Sequence, residues 1–187
     1  EPAPAAGAAP AAVAHRAGEP LRVAIIGAIG PHKGSKLLAA MAEDAIRRKL
    51  PIEFVIIGYT DRSADLRALP NVTVTGRYRE EEAERIIAEQ RCHLALIPSV
   101  WPETYCYTLS IALRCGFPTA VFDLGAQRDR LLAADPATAI VLPLAAMTDA
   151  ALANDHLLDA VRRGVVRPAP TDRVAGLSYT FDTYYGT

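Results

Sequence analysis

The chain has 187 residues, a formal net charge of −1, and 51% hydrophobic but only 6% aromatic residues. That length suits one domain with a sizeable core, and the near-zero charge argues against general affinity for nucleic acid or an anionic membrane. No run of 18 apolar residues is present, so no integral membrane segment is expected.

Residues 1–19 are rich in Ala, Pro and Gly and carry almost no long apolar side chains. Such a segment buries too little surface to offset its ordering entropy and reads as a disordered linker. No basic start precedes a leucine-rich stretch, so a signal peptide is not indicated. A linker in this place implies further chain upstream.

Residues 21–27 (LRVAIIG) form a short apolar run ending in glycine, a buried strand feeding a turn. A loop follows over 27–34, and Ser35 is the expected cap of a helix running to about Lys49, which Pro51 stops. Residues 52–58 (IEFVIIG) read as the second strand and 71–76 (NVTVTG) as a short third. An acidic-fronted helix is expected over 80–91, a fourth strand over 93–98 and a helix over about 107–115. A strand over 118–122, a helix near 127–134 and a strand over 139–142 complete the pattern.

Strand, loop and helix therefore alternate, and the strands are continuous apolar runs. That is the signature of a parallel sheet covered on both faces, an α/β, Rossmann-like doubly wound fold over residues 20–150. Such folds bind ligands beyond the carboxyl ends of their strands, where Gly27, Gly58, Gly76, Pro98 and Asp123 fall. Residues 151–187 are expected to form a C-terminal helix and tail able to pack on a domain outside this chain.

Three loops could carry chemistry. In 27–34 the backbone around Gly30 can approach a phosphate, with Lys33 as countercharge, or the loop is a plain glycine turn with a solvated lysine. The order Lys33-Gly34 is not that of a Walker A loop, and G-x-G-x-x-G is absent. In 98–108, Glu103 stands just ahead of a helix. It can cap that helix or accept hydrogen bonds from hydroxyls, and backbone N–H groups near Cys106, Tyr107 and Thr108 would face a diphosphate. Tyr105 and Tyr107 also read as ordinary core aromatics. Beyond the third strand, Arg77 and Tyr78 can stack on a nucleobase or stand in a solvated loop. The histidines show no metal-ligand spacing, so no metal is expected. The three cysteines (Cys92, Cys106, Cys115) are odd in number and lack a C-x-x-C pair, which argues for a reducing, cytoplasmic setting.

Together these pieces resemble the C-terminal, donor-binding half of a retaining glycosyltransferase of the two-Rossmann-domain (GT-B) type, the group 1 family. The resemblance is carried by Gly27…Lys33-Gly34, 54–58 (FVIIG), 74–76 (VTG), 97–103 (IPSVWPE) and 112–125 (ALRCGFPTAVFDLG). It implies a nucleotide-sugar donor as substrate, no cofactor, and an N-terminal acceptor domain that this chain lacks. It further implies that Lys33 and Gly30 meet the diphosphate with the N–H groups at Cys106, Tyr107 and Thr108, and that Glu103 is the catalytic carboxylate contacting the sugar. Gly58, Arg77 and Tyr78 would border the base.

Two departures from the family pattern stand out. Its phosphate arginine falls on Ala28, and its second glutamate, which grips the ribose, falls on Ile111. Ser110 or Thr108 is the available substitute for the latter. These departures keep open a degenerate Rossmann-like module acting as a non-catalytic interaction domain. A nicotinamide enzyme is disfavoured, because Asp61 is a poor match for the expected ribose acid.

Overall fold

The computed structural model describes residues 11–166. Along the chain stand β1 (Leu21–Ile29), α1 (Ser35–Arg48), β2 (Ile52–Thr60), α2 (Ser63–Arg67), β3 (Val72–Val74) and α3 (Ala83–Glu89). They are followed by β4 (Leu94–Ile97), α4 (Tyr107–Arg114), β5 (Thr119–Phe122), α5 (Gly125–Ala134), β6 (Ala139–Leu142) and α6 (Ala150–Arg162). The strands form one parallel sheet in the order β3-β2-β1-β4-β5-β6, which makes it a doubly wound sheet, the fold class expected from the sequence.

The strands are apolar throughout because both faces of the sheet are covered. On one face Val23, Ile25, Phe54 and Ile56 pack with Leu38 and Met41 of α1 and Leu157 of α6. On the other, Ala24, Ile26, Val55 and Ile57 meet Ile87 of α3 and Ile111 and Ala112 of α4. A smaller cluster of Ile97, Val121, Leu109 and Leu131 joins α4 to α5. Every one of these side chains is buried, and this burial is the main stabilising term.

Several boundaries differ from the sequence reading. β1 and β2 do not end at Gly27 and Gly58 but pair through them, Gly27 beside Gly58, as far as Ile29 beside Thr60. Ser35 is not the cap of α1. Gly34 takes that position in the left-handed region at φ 82°, and Ser35 is the buried first residue of the helix.

The expected linker 1–19 is tied down from Ala11 onward. The N–H groups of Ala11 and Val13 donate to the carbonyls of Cys115 and Cys92 at 3.0 Å each, and Ala11 and Ala12 are buried. Small side chains let this strap lie close against the turns that precede β4 and β5. His93 then fastens it. Its Nδ1 accepts from the Arg22 N–H at 2.9 Å, its Nε2 lies 3.2 Å from a Glu19 carboxylate oxygen, and the His15 ring meets it edge-on.

The boundary expected near residue 150 is also absent. α6, the helix expected within 151–187, packs on α1 as part of this domain. Asn154 is fully buried and donates to the Met41 carbonyl at 2.9 Å and to Asp44 at 3.0 Å, while Arg48 pairs with Asp155 at 2.6 Å. Ala153, Leu157 and Ala160 complete the contact with α1. The remainder of the helix and tail expected over 151–187, residues 167–187, lies outside the described residues.

Two consequences are measurable. A Cβ on Gly34 would sit 2.0 Å from the Pro98 carbonyl oxygen. With the left-handed backbone added, Gly34→Ala should cost about 2–3 kcal/mol in urea unfolding. Burial, aided by His15, holds the His93 imidazole below its ordinary 6.5, with Glu19 opposing. The unfolded chain then takes up that proton more readily, so stability present above pH 6.5 is lost as the pH falls below it. Urea unfolding at successive pH values should show this decline, and His93→Gln should reduce it.

Candidate functional site

The chain leaves β1 toward β2 on one side and returns to β4 on the other. The loops after β1 and β4 therefore diverge at the centre of the sheet and leave a crevice beyond the strand ends. Their bases are joined. The Val100 N–H donates to the His32 carbonyl at 3.1 Å, and the Ser99 hydroxyl reaches the His32 and Trp101 carbonyls at 3.4 and 3.1 Å. The absence of a side chain on Gly34 allows this approach.

The crevice is open to solvent at its mouth. Ile29 and Lys33 form one wall, Pro98, Ser99 and Glu103 the other, with Thr108 at the head of α4 and Ile26 and Ala112 beneath. Lys33, Glu103 and Thr108, three of the residues singled out from the sequence, thus share one crevice. Gly30 stands at its edge, where its carbonyl accepts from the Lys33 and Ser35 N–H groups at 3.0 and 3.2 Å. That carbonyl braces the turn carrying the lysine.

α4 has three faces with different duties. Thr108 and Ala112 face the crevice. Tyr107, Ile111 and Arg114 turn toward the α3 side, where the Tyr107 hydroxyl donates to the Glu80 carboxylate and Arg114 meets Glu84 at 3.4 Å. Cys106, Leu109 and Leu113 turn toward α5. Cys106 is the N-cap, and no hydroxyl or carboxylate caps the helix. The Glu103 carboxylate does not cap the first turn; it borders the crevice and also lies beside the Cys106 thiol. Burial pushes the Cys106 thiol up, opposed by Thr108 and reinforced by the neighbouring Glu103 carboxylate. The thiol stays protonated and is no nucleophile.

The residues expected around a base and ribose are not gathered in the same way. Gly58 is enclosed, because the Gly27 carbonyl oxygen lies 2.1 Å from where its Cβ would be. The Arg77 guanidinium stacks on the Tyr59 ring at 4.0 Å. Tyr78 is half-buried against the cluster containing Ile111, and burial raises its phenol. Ser110, the expected stand-in for a ribose-gripping carboxylate, accepts from Arg130 at 2.9 Å and contacts the Tyr105 hydroxyl at 3.3 Å on the α5 side. Ile111 is 6% exposed and is a core residue of α4. Asp61 is likewise engaged at the end of β2. Burial works to raise it, but the Ser35 and Thr60 hydroxyls outweigh this and hold it low.

Sequence reading missed Gln127 and Arg130 on α5. Gln127 is fully buried, and its Oε1 accepts from the Glu103 N–H at 3.3 Å. Arg130 donates to the Cys106 carbonyl at 3.0 Å and stacks on the Tyr105 ring at 4.2 Å. One signal was available: Gln127 lies four residues before the buried Leu131, so a polar group falls on an inward face. Among the described residues, no group of three or more His, Cys, Asp or Glu could hold a metal ion, and no helix is long and apolar enough to cross a membrane.

The fold has counterparts of known structure. Sucrose-phosphate synthase from Thermosynechococcus elongatus superposes with a TM-score of 0.62 at 18% identity, over 87% of this chain and 42% of that one. HepE from Anabaena, solved with UDP-glucose, gives 0.58 at 14% identity, over 83% and 43%. The C-terminal domain of a glycosyl transferase group 1 family protein from Francisella tularensis gives 0.60 at 14% identity, over 87% and 89%. The chain thus spans less than half the length of the first two and most of the third. No curated protein matches its sequence. The profile of the family "Glycosyl transferases group 1", however, matches residues 20–159. The chain belongs to the group 1 glycosyl transferases, and its fold is that of the C-terminal half of their GT-B architecture.

Proposed function

We propose that the crevice binds a nucleoside-diphosphate sugar, and that the protein containing it transfers the hexosyl group to an acceptor with retained anomeric configuration. The observation that carries this reading is the joint lining of one crevice by Lys33 and Glu103 at the point where the strand order reverses. Lys33 would neutralise the diphosphate together with the uncapped N–H groups at the start of α4 and the turn at Gly30. Glu103 would hold sugar hydroxyls through charge-assisted hydrogen bonds. Arg77 and Tyr78, beyond β3, are the groups proposed to border the base, along the rim that starts at Gly58.

In the transfer, the bond from the anomeric carbon to the phosphate oxygen breaks and its electron pair leaves on the diphosphate. The acceptor hydroxyl takes that place on the same face and gives its proton to the departing diphosphate. Lys33 and α4 would stabilise the charge as it develops. No metal or other cofactor is proposed. The acceptor site is assigned to an N-terminal domain outside this chain, so the fragment would bind donor without turning it over. Three buried free thiols and a nucleotide-sugar substrate fit a cytoplasmic setting.

A second reading, a non-catalytic interaction module, is favoured by Ile111, whose burial leaves no carboxylate where the family grips the ribose. Calorimetry separates the two. Titrated with UDP, GDP, ADP and their glucose conjugates, a donor domain should take up one base in preference. Lys33→Ala should then weaken the nucleoside diphosphate about ten-fold or more. Glu103→Gln should weaken the sugar conjugate about ten-fold while sparing the nucleoside diphosphate. Absence of uptake across the whole panel would leave the module reading standing.

A further inference from the structure

We infer that Gln127 and Arg130 of α5 are positioning residues that hold the Glu103 loop in its crevice-facing shape and thereby set the affinity for the sugar part of the donor; this rests on the donor reading above. Between β4 and α4 the chain has no regular structure, and Trp101 is 65% and Tyr105 47% exposed. A loop so open loses much conformational freedom when it is fixed. On its inner side it is held by Val100 and Ser99 at the His32 carbonyl. On its outer side the contacts come from α5. Gly125 lies against Pro102, where a Cβ would meet it at 3.2 Å. Gln127 accepts from the Glu103 N–H, and Arg130 binds the Cys106 carbonyl and covers Tyr105. The second arm of Arg130 reaches Ser110, so one guanidinium joins the loop to the first turns of α4.

Stability alone does not account for Gln127. The side chain is fully buried, and its Nε2 has no hydrogen-bond partner among the described residues. An apolar residue of similar size would avoid burying that unpaired donor. What only an acceptor supplies is a fixed Glu103 amide, and with it a fixed main-chain position from which the Glu103 carboxylate reaches the crevice. A loop already held in its binding shape loses less freedom when ligand arrives.

The test uses Gln127→Met, which keeps volume and removes the acceptor, and Arg130→Met, with Arg130→Lys as the conservative partner. Hydrogen exchange over residues 100–106 should speed up about ten-fold in both Met variants, with the sheet unchanged. Affinity for the glucose conjugate of the preferred nucleotide should fall about five-fold while that for the nucleoside diphosphate holds. Thermal stability of Gln127→Met should not drop, and Arg130→Lys should recover part of the loss. Unchanged exchange in both Met variants overturns the inference. So does faster exchange with unchanged sugar-conjugate affinity, or an equal loss for both ligands. Should the unsubstituted chain bind no nucleotide, the donor reading fails and removes the affinity claim with it. The exchange measurement then still decides whether α5 holds the loop.

Discussion

The crevice exists because two loops from opposite halves of the sheet are held together at one point. There the Val100 N–H meets the His32 carbonyl and the backbone of Gly34 presses on Pro98. Neither contact joins residues near each other in sequence. Both depend on β1 and β4 being adjacent in the sheet, which the doubly wound order provides. Without this junction Lys33 and Glu103 would sit on independently moving loops. With it, they face a common space whose floor is the apolar end of β1 and the head of α4.

α4 illustrates how one short helix divides its residues among several tasks. With about 100° between successive residues, positions one apart face different neighbours. Ile111 is committed to hydrocarbon, Ser110 to Arg130 and Thr108 to the crevice. The departure at Ile111 is therefore more than the loss of one acceptor. The side chain there is built into the packing between the sheet and α3, and the Ser110 hydroxyl beside it is already engaged by Arg130.

The edges of the domain follow a similar logic. The strap from Ala11 and the closing helix α6 are each fastened by a buried polar side chain in addition to their apolar contacts. His93 anchors one and the Asn154–Asp44 pair the other. Composition made the first look like a linker and the second like a tail. What changes their status is the presence of carbonyls and a buried carboxylate that need partners, a requirement visible only once the sheet is assembled.

The parallel sheet, the order of its elements and the convergence of Lys33 and Glu103 on one crevice were legible in the sequence. Apolar runs of strand length and a carboxylate ahead of a helix are local patterns that survive folding. Tertiary structure alone decided the rest. It continued β1 and β2 through paired glycines and moved the α1 cap from Ser35 to Gly34. It engaged Ser110 with Arg130, enclosed Gly58 beneath the Gly27 carbonyl, and set Gln127 and Arg130 against the Glu103 loop. The physical reason is the same throughout. A side chain's role depends on which distant backbone groups and charges lie within a few ångströms of it, and periodicity along a single chain carries no record of those neighbours.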